Sequence, residues 1–237
     1  MFYLKDYIVT YSKSLCLILV SVLLSGCAGK QAFDTEVEKK AIRGDNGAEI
    51  PISAYNALEV GGSHATDTSL RLVTRGDTAA AVGVSVVAFV AQAFAGSASG
   101  GTFSKEDLRG TKIVVLSNPS IGYFMPNIET EIKKGLADKP KHLYMEKIEV
   151  RPKVWLLMYE NLSGSETDYE LRYVTYFSKN KETWQKSGMY LACEPKPVKA
   201  PLEQWQANNY EKVTKVTQQY MAECMKDFAV KVDSIVS

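Results

Sequence analysis

The side chains best suited to covalent or metal chemistry in this chain are its four cysteines and two histidines. Cys27 directly follows two small residues, Ser25 and Gly26, near the N-terminus, whereas Cys193 and Cys224 lie close to the C-terminus. A thiolate is a strong nucleophile and a good metal ligand, so each cysteine could be acylated, oxidised or bound to a metal. The surrounding sequence distinguishes between these reactions.

The residues before Cys27 have the organisation of a secretory signal. A weakly basic front precedes an uncharged apolar run at 14–24, which is shorter than the roughly 20 apolar residues that span a bilayer. The motif that ends this run, Leu24-Ser25-Gly26-Cys27, resembles the lipobox of bacterial lipoproteins. The resemblance covers the signal and one residue beyond it, and no specific family is identified for the rest of the chain.

The lipobox resemblance implies that residues 1–26 form a signal peptide that is cleaved before Cys27. Cys27 would then carry a diacylglycerol on its sulfur and an acyl chain such as palmitate on its new amine, and two or more chains anchor a protein stably. Ala28 stands where an aspartate would indicate retention in the inner membrane, so the resemblance implies an outer-membrane lipoprotein, on either the periplasmic or the surface face. An ordinary signal peptide or an uncleaved anchor is the alternative.

The composition of the remaining chain fits a folded exported protein. Removal of 26 residues from 237 leaves 211, and removal of two lysines and one aspartate leaves 26 basic and 26 acidic side chains. A chain with zero formal charge lacks the overall basic footprint that binds nucleic acid or anionic lipid. We therefore expect no nucleic-acid partner, and we expect contact with membrane lipid through the acylated Cys27.

Cys193 and Cys224 are the cysteines left once Cys16 is removed with the signal and Cys27 is acylated. In an oxidising periplasm we expect them to form a disulfide. The enclosed loop of about 32 residues corresponds to roughly 3.7 kcal/mol in the chain-entropy model. Two buried free thiols are the alternative, and a metal site is disfavoured because the histidines give no recognisable ligand spacing with these cysteines.

The elements that would position these groups begin after a polar stretch. Residues 27–49 are predicted to be a lipidated tether, because they are charged and show no sustained apolar period. The rest, 50–237, is predicted to be a single α+β domain, in which Leu70 and Leu72 point inward and Arg71 and Val73 point outward. Its first two strands are predicted at 50–55 and 69–74.

The segment 78–95 contains no charge and consists mostly of alanine, valine and glycine with two phenylalanines. It is apolar on all sides, so we expect a helical segment without a solvent-exposed face. One interpretation is a buried helix or helix hairpin. The other is a segment that enters the membrane, since its length is at the lower limit for a span. The glycine- and serine-rich residues 96–101 that follow are predicted to be a flexible joint.

The second half of the chain predicts an antiparallel sheet of about four strands. Its strands are predicted at 112–117, 147–159, 169–177 and 188–193. The first of these is a continuous β-branched run, which is typical of a buried strand. Pro152 requires that the second lie at an edge or carry a bulge. The three prolines after the last strand predict a stiff connector, and they are Pro195, Pro197 and Pro201.

Two helices are predicted to cover one face of this sheet. The first, 126–136, has Pro126 in its first turn. Its buried face is predicted to consist of Ile128, Ile132 and Leu136. The second, Leu202–Ile235, would be about 51 Å long if unbroken, against a body about 43 Å across, so it must cross the body, bend or protrude. Cys224 lies in its apolar stripe, so the expected disulfide would attach this helix to the last strand.

The sequence lacks the residue combinations that catalysis requires. Both histidines, His64 and His142, are predicted to lie in loops. There is no G-x-S-x-G elbow, P-loop or dinucleotide fingerprint, and no carboxylate pair is isolated in an apolar setting. We therefore predict that the protein is not an enzyme and has no cofactor.

Two further features could bind a partner. Arg-Gly-Asp triplets occur at 43–45 and 75–77, and they could bind integrins if they were displayed on loop tips, although such triplets are more often ordinary turn residues. The tyrosines and tryptophans of the predicted strands could form the floor of a binding groove, although packing against a helix is their more common role.

These observations favour a non-enzymatic outer-membrane lipoprotein that acts as a subunit or assembly factor of a cell-envelope complex, such as a secretion, conjugation or transport machine. Its partners would be envelope proteins or further copies of itself. The alternative is a ligand-binding or adhesive surface lipoprotein that uses the Tyr- and Trp-bearing face of the sheet.

Overall fold

The structure is a computed structural model. It describes residues 34–58, 65–77, 110–160, 168–183 and 188–237. Several sequence-based predictions fall outside these residues: the signal peptide 1–26, Cys27, His64, the apolar segment 78–95 and the joint 96–101. Because the structure does not describe these residues, those expectations remain predictions from the sequence.

The described residues form eight strands and two long helices, which confirms the α+β class. The strands are β1 (Thr35–Arg43), β2 (Glu49–Asn56), β3 (Ser69–Val73), β4 (Thr111–Ser117), β5 (Ile148–Tyr159), β6 (Asp168–Lys179), β7 (Met189–Cys193) and β8 (Val198–Pro201). The helices are α1 (Ser120–Leu136) and α2 (Leu202–Ile235). Within the described ranges, neither helix combines the length and the hydrophobicity needed to cross a membrane.

All eight strands belong to one mixed sheet built on the β5–β6 hairpin. β2 and β3 run parallel to the first and second halves of β5, and they pair in turn with β1 and β4. On the other side, β7 and β8 pair antiparallel with the two halves of β6. The prediction of a purely antiparallel sheet of about four strands is therefore wrong in strand number and in direction, while its β5–β6–β7 meander is confirmed.

Strand β1 corrects the prediction that residues 27–49 are a tether without regular structure. It pairs antiparallel with β2 along most of its length. Among the described strands it lies at one end of the sheet, and Ile42 is its one buried residue. Charged side chains at a sheet edge discourage pairing with other chains. The same polar composition therefore suits both a tether and an edge strand.

Strand β8 corrects part of the predicted proline connector. Residues 198–201 pair antiparallel with the first residues of β6. The backbone N–H of Val198 donates to the hydroxyl of Tyr220 at 2.7 Å, so helix α2 helps to fix this strand. Proline is compatible with the end of a strand that has only one described neighbour, because the missing N–H breaks no ladder.

The bulge predicted at Pro152 is confirmed, because the β5–β6 register shifts between Pro152 and Val154. On the opposite side, these residues lie between the stretches of β5 that pair with β2 and β3. Thr66 and Asp67 occupy this gap. The hydroxyl of Thr66 donates to the carbonyl of Pro152 at 2.8 Å, and the backbone N–H of Asp67 donates to the carbonyl of Lys153 at 3.1 Å.

Arg71 of β3 is buried rather than outward-facing, with only 3% of its surface exposed. Its guanidinium donates two hydrogen bonds to the carboxylate of Asp67, at 2.8 and 3.0 Å. The same carboxylate accepts the backbone N–H of Trp155 at 2.9 Å. A buried charge is tolerated when it is paired and hydrogen-bonded, so Asp67 provides what Arg71 needs.

Strand β4 corrects the prediction that 112–117 is buried. It pairs with β3 alone among the described strands, and the register jumps so that Ser69 lies opposite Ser117 while Leu70 lies opposite Ile113. The extra residues in this irregular stretch include Val114 and Val115, which are 77% and 69% exposed. The β-branched composition correctly predicted a strand, but it did not predict the strand's position in the sheet.

Helix α1 begins at Ser120, whose N–H donates to the side chain of Asn118 at 3.0 Å. Pro126 therefore lies inside the helix rather than in its first turn, and its side chain is exposed to solvent. Its missing N–H removes one helical hydrogen bond, but its ring is not forced into the core. The predicted apolar face is confirmed, since these residues are fully buried: Ile128, Ile132 and Leu136.

Helix α2 has the predicted bounds, but residues 207–210 interrupt it with non-helical backbone. Asn208, Asn209 and Tyr210 all have positive φ angles, between 49° and 63°. Asparagine tolerates this left-handed conformation better than most residues, whereas it is strained for Tyr210. Before the kink, the indole of Trp205 donates to the carbonyls of Tyr169 and Ala200. Of the three outcomes that its length allowed, the helix bends.

The two helices pack on one face of the sheet and form the core there. Aromatic rings connect the layers, because Phe177 of β6 lies 4.9 Å from Phe124 of α1 and 5.5 Å from Phe228 of α2 between ring centroids. Cys193 at the end of β7 and Cys224 in α2 are placed for a disulfide, with Cα atoms 5.5 Å apart. The predicted pairing of these cysteines is thus compatible with the structure, and both are buried.

Candidate functional site

The face of the sheet opposite α1 and α2 carries a contiguous group of polar and aromatic side chains. Strand register determines its members, since directly opposed residues point to the same face. Arg151 lies opposite Tyr176, and Ser178 lies opposite both Glu149 and Tyr190. Val150 and Phe177 alternate with these residues and point to the helices. We call this side, which neither α1 nor α2 covers, the outer face.

A row of three tyrosines and one arginine crosses the outer face from β7 to β2. The rings of Tyr190 and Tyr176 stack, with centroids 5.9 Å apart and planes inclined by 21°. Arg151 lies opposite Tyr176 in the register, and its guanidinium carbon lies 4.4 Å from the centroid of the Tyr55 ring. We call Tyr55, Arg151, Tyr176 and Tyr190 the tyrosine row. Exposure increases along it, from buried Tyr55 to Tyr190, which is 68% exposed.

Two carboxylates fix the orientation of Arg151. Its Nη2 lies 3.0 Å from Glu149 Oε2, and Nη1 forms an ion pair with Asp34. Partial burial lowers the pKa of Arg151 from its ordinary value, although a guanidinium remains charged at any physiological pH. The row therefore presents a planar cation that is already ordered, and little side-chain entropy remains to be lost when a ligand stacks on it.

Tyr55 is held between two ionised groups. Its hydroxyl donates to Glu36 at 2.8 Å and accepts a hydrogen bond from the ammonium of Lys147. The bond from Tyr55 lowers the pKa of Glu36, and the bond to Tyr55 raises the pKa of Lys147. Both neighbours are charged at neutral pH, so neither is suited to exchange a proton there. This buried end of the row supports Arg151, whose guanidinium packs on the Tyr55 ring, and it is not suited to general acid–base catalysis.

The sequence identified only part of this site. The Tyr- and Trp-bearing strands serve mainly for packing, as expected: Trp155 donates to Thr217 of α2 at 2.9 Å, and Tyr173 contacts Ser120 of α1 through its hydroxyl at 2.6 Å. Tyr176 was predicted within β6, but its alignment with Arg151 and Tyr190 was not. The alternation of buried and half-buried residues in β6 was the available signal.

His142 lies exposed in the loop after α1, as predicted. Its ring meets that of Tyr144 edge-on, with centroids 4.4 Å apart, and it forms no hydrogen bond with a described side chain. Within the described ranges, no group of three or more histidines, cysteines or carboxylates is placed to hold a metal ion. Cys193 and Cys224 lie on the helix side of the sheet and do not contribute to the outer face.

The Arg-Gly-Asp triplet at 43–45 lies at the β1–β2 turn, whereas the triplet at 75–77 is helical, and residues of both have local partners. In the triplet at 43–45, Arg43 pairs with Glu49 across the β1–β2 turn at 2.8 Å. In the triplet at 75–77, the carboxylate of Asp77 accepts the N–H of Thr74 at 2.7 Å and its hydroxyl at 2.8 Å. The first triplet therefore fits the interpretation as ordinary turn residues, whereas the second does not, because its three residues are helical.

Comparison of the chain with models of protein families, with curated proteins and with solved structures finds no match. The interpretation of the outer face therefore depends on its own geometry. That geometry combines exposed aromatic faces, a fixed guanidinium and several carboxylates, which together suit non-covalent recognition.

Proposed function

We propose that this protein is a non-enzymatic outer-membrane lipoprotein, anchored by an acylated Cys27, that binds another protein of the cell envelope through its outer face. The observation that carries the proposal is the tyrosine row, whose members come from four strands and whose last member, Tyr190, is 68% exposed. Exposed Tyr190 stacks on half-buried Tyr176 and continues into an ordered arginine, so the row forms a contiguous patch that suits contact with a partner.

The chemistry of the row favours a protein as the partner. Tyrosine and arginine are enriched among the residues that dominate binding energy at protein interfaces. The flanking charges are of both signs, since Asp34, Glu36 and Glu149 lie beside Lys147 and Arg151. A surface of this mixed charge complements a partner with polar and charged groups of both signs, and it does not resemble a nucleic-acid interface.

The lipid anchor supports the role of a subunit or assembly factor. Acylation at Cys27 would restrict the protein to the membrane surface and raise its effective concentration near other envelope components. Replacement of Cys27 by alanine should move the protein from the membrane fraction to the soluble fraction. Unchanged fractionation of this variant would contradict the anchor.

Binding of a saccharide is the second candidate, and the stacked pair Tyr176–Tyr190 favours it. Carbon-bound hydrogens on one face of a sugar ring can pack on a tyrosine ring, while Glu149 and Ser178 lie close enough in the register to accept hydrogen bonds from its hydroxyls. This would correspond to a ligand-binding or adhesive lipoprotein.

Site-specific photocrosslinking in living cells tests the proposal. A benzoylphenylalanine at position 190 should give one dominant protein adduct, and Tyr176→Ala should abolish it. The same probe at position 230 is the control, because Val230 is 80% exposed on α2. Equal adducts from both positions, or none from position 190, would contradict the proposal. A glycan array with the purified protein and its Tyr190→Ala variant tests the second candidate.

A further inference from the structure

A cavity of about 350 Å³ lies between the loop after α1 and the end of α2. Its lining includes these residues: Lys139, Lys141, His142, Tyr144 and Val236. Its volume falls at the lower end of the range of small-molecule sites. We call it the loop cavity.

The loop cavity concentrates basic groups that lack counter-ions. Neither Lys139 nor Lys141 forms an ion pair with a described residue, whereas Lys40, Lys133 and Lys147 all do. The described lining residues include two lysines and neither an aspartate nor a glutamate. This local excess of positive charge is invisible in the zero formal charge of the mature chain.

The β1–β2 turn holds the backbone of this loop in place. The side-chain amide of Asn46 donates to the carbonyl of Leu136 at 2.7 Å and also to that of Lys139. The N–H of Glu49 then donates to the carbonyl of His142 at 2.9 Å. Pro140, which separates the two lysines, further restricts the backbone. The backbone that carries the two lysines is therefore held in place by hydrogen bonds.

The wall of the cavity is also fixed. The hydroxyl of Tyr144 donates to the carbonyl of Val236 at 2.6 Å, which attaches the loop to the end of α2. The N–H of Tyr144 donates to the carbonyl of Glu49 at 2.9 Å. The ring of His142 meets the Tyr144 ring edge-on at 4.4 Å between centroids. Hydrogen bonds thus hold Tyr144 in place at the border of the cavity.

We propose that the loop cavity binds a phosphate group, with Lys139 and Lys141 as its cationic ligands and His142 as a hydrogen-bond donor. Lysine ammonium groups are common phosphate ligands, and charge-assisted hydrogen bonds are stronger than neutral ones. The phosphate comes from either of two sources with the same chemistry: the headgroup of a membrane phospholipid or a soluble phosphate compound.

Calorimetric titration of the full-length protein in non-ionic detergent tests the site. The probes are inorganic phosphate, dihexanoyl phosphatidylglycerol and dihexanoyl phosphatidylcholine. Binding of phosphatidylglycerol but not of inorganic phosphate supports a lipid headgroup, and binding of inorganic phosphate supports a soluble ligand. The double variant Lys139→Gln/Lys141→Gln should lower the affinity of the bound probe by about tenfold or more. Absence of binding by all three probes would overturn the proposal.

The control is Lys226→Gln/Lys231→Gln on α2, which removes the same charge from two exposed positions. Equal loss of affinity in both double variants would overturn the proposal, because it would indicate diffuse electrostatics. Lysine acetylation of the unmodified protein, followed by mass spectrometry, gives a second readout that does not depend on folding of a variant. The bound probe should protect Lys139 and Lys141 but not Lys226 and Lys231, and equal protection would contradict the assignment.

Discussion

Replacement of both Cys193 and Cys224 by alanine would remove the disulfide that we expect between strand β7 and helix α2. The two residues are 31 positions apart, and both are buried. Alanine is preferable to serine here, since a buried hydroxyl without a partner would cost about 1–3 kcal/mol by itself. The double variant therefore isolates the effect of the disulfide better than a serine variant does.

The expected loss of stability follows from the size of the closed loop. The chain-entropy relation gives about 3.7 kcal/mol for a loop of this length, because the cross-link restricts the unfolded chain. For a body of this size, 1 kcal/mol corresponds to about 2–4 °C in melting temperature, so we expect a decrease of about 7–15 °C. Localisation should not change, because the link is far from Cys27 in the sequence.

Differential scanning calorimetry of three samples provides the measurement: the oxidised parent, the parent in reductant and the double-alanine variant. We expect the reduced parent and the variant to melt at similar temperatures, both well below the oxidised parent. Equal melting of all three samples would refute the reasoning, since it would mean that no disulfide contributes to stability. Circular dichroism at low temperature confirms that the variant has folded.

Two further predictions concern helix α1. Gly135→Ala should destabilise the protein by about 1–3 kcal/mol, because the added Cβ would lie 2.3 Å from Cγ1 of Val232 on α2. Gly122→Ala is the matched control: its added Cβ has no neighbour within 4 Å, so this variant should raise the urea midpoint. The hydrogen bonds from Lys133 and, to a smaller extent, Lys40 lower the pKa of Glu129 to about 2. Ionised Glu129 therefore stabilises the fold above its ordinary pKa of 4.5, and this stabilisation is lost as the pH falls towards 2. Glu129→Gln should therefore cost about 1 kcal/mol at pH 7 and progressively less below pH 4.5, and a constant difference in denaturant midpoint would contradict this.

Elements with strong local periodicity were predictable from the sequence. The apolar repeat of α1, the alternation in β5 and β6 and the bulge at Pro152 all depend on residues a few positions apart. The partner of Cys193 followed from the small number of candidate cysteines. The lipobox is likewise a local motif, and the anchor at Cys27 stays a prediction from sequence.

Partnerships between distant segments were not predictable. β1 and β8 have sequences that suit a tether or a connector, and they become strands because β2 and β6 offer hydrogen bonds to them. Arg71 is buried because Asp67 provides a second charge at the right distance. Strand β4 is exposed because of its place in the sheet.

The sequence by itself determined which stretches prefer helix or strand, which face of α1 is apolar and which cysteines remain to pair. Only the tertiary structure decided which side chains meet on the outer face and in the loop cavity. The tyrosine row draws on four strands, and the loop cavity joins the loop after α1 to the end of α2. The physical reason is that periodicity is encoded by near neighbours, whereas strand register and loop anchoring depend on hydrogen bonds between segments far apart in the chain.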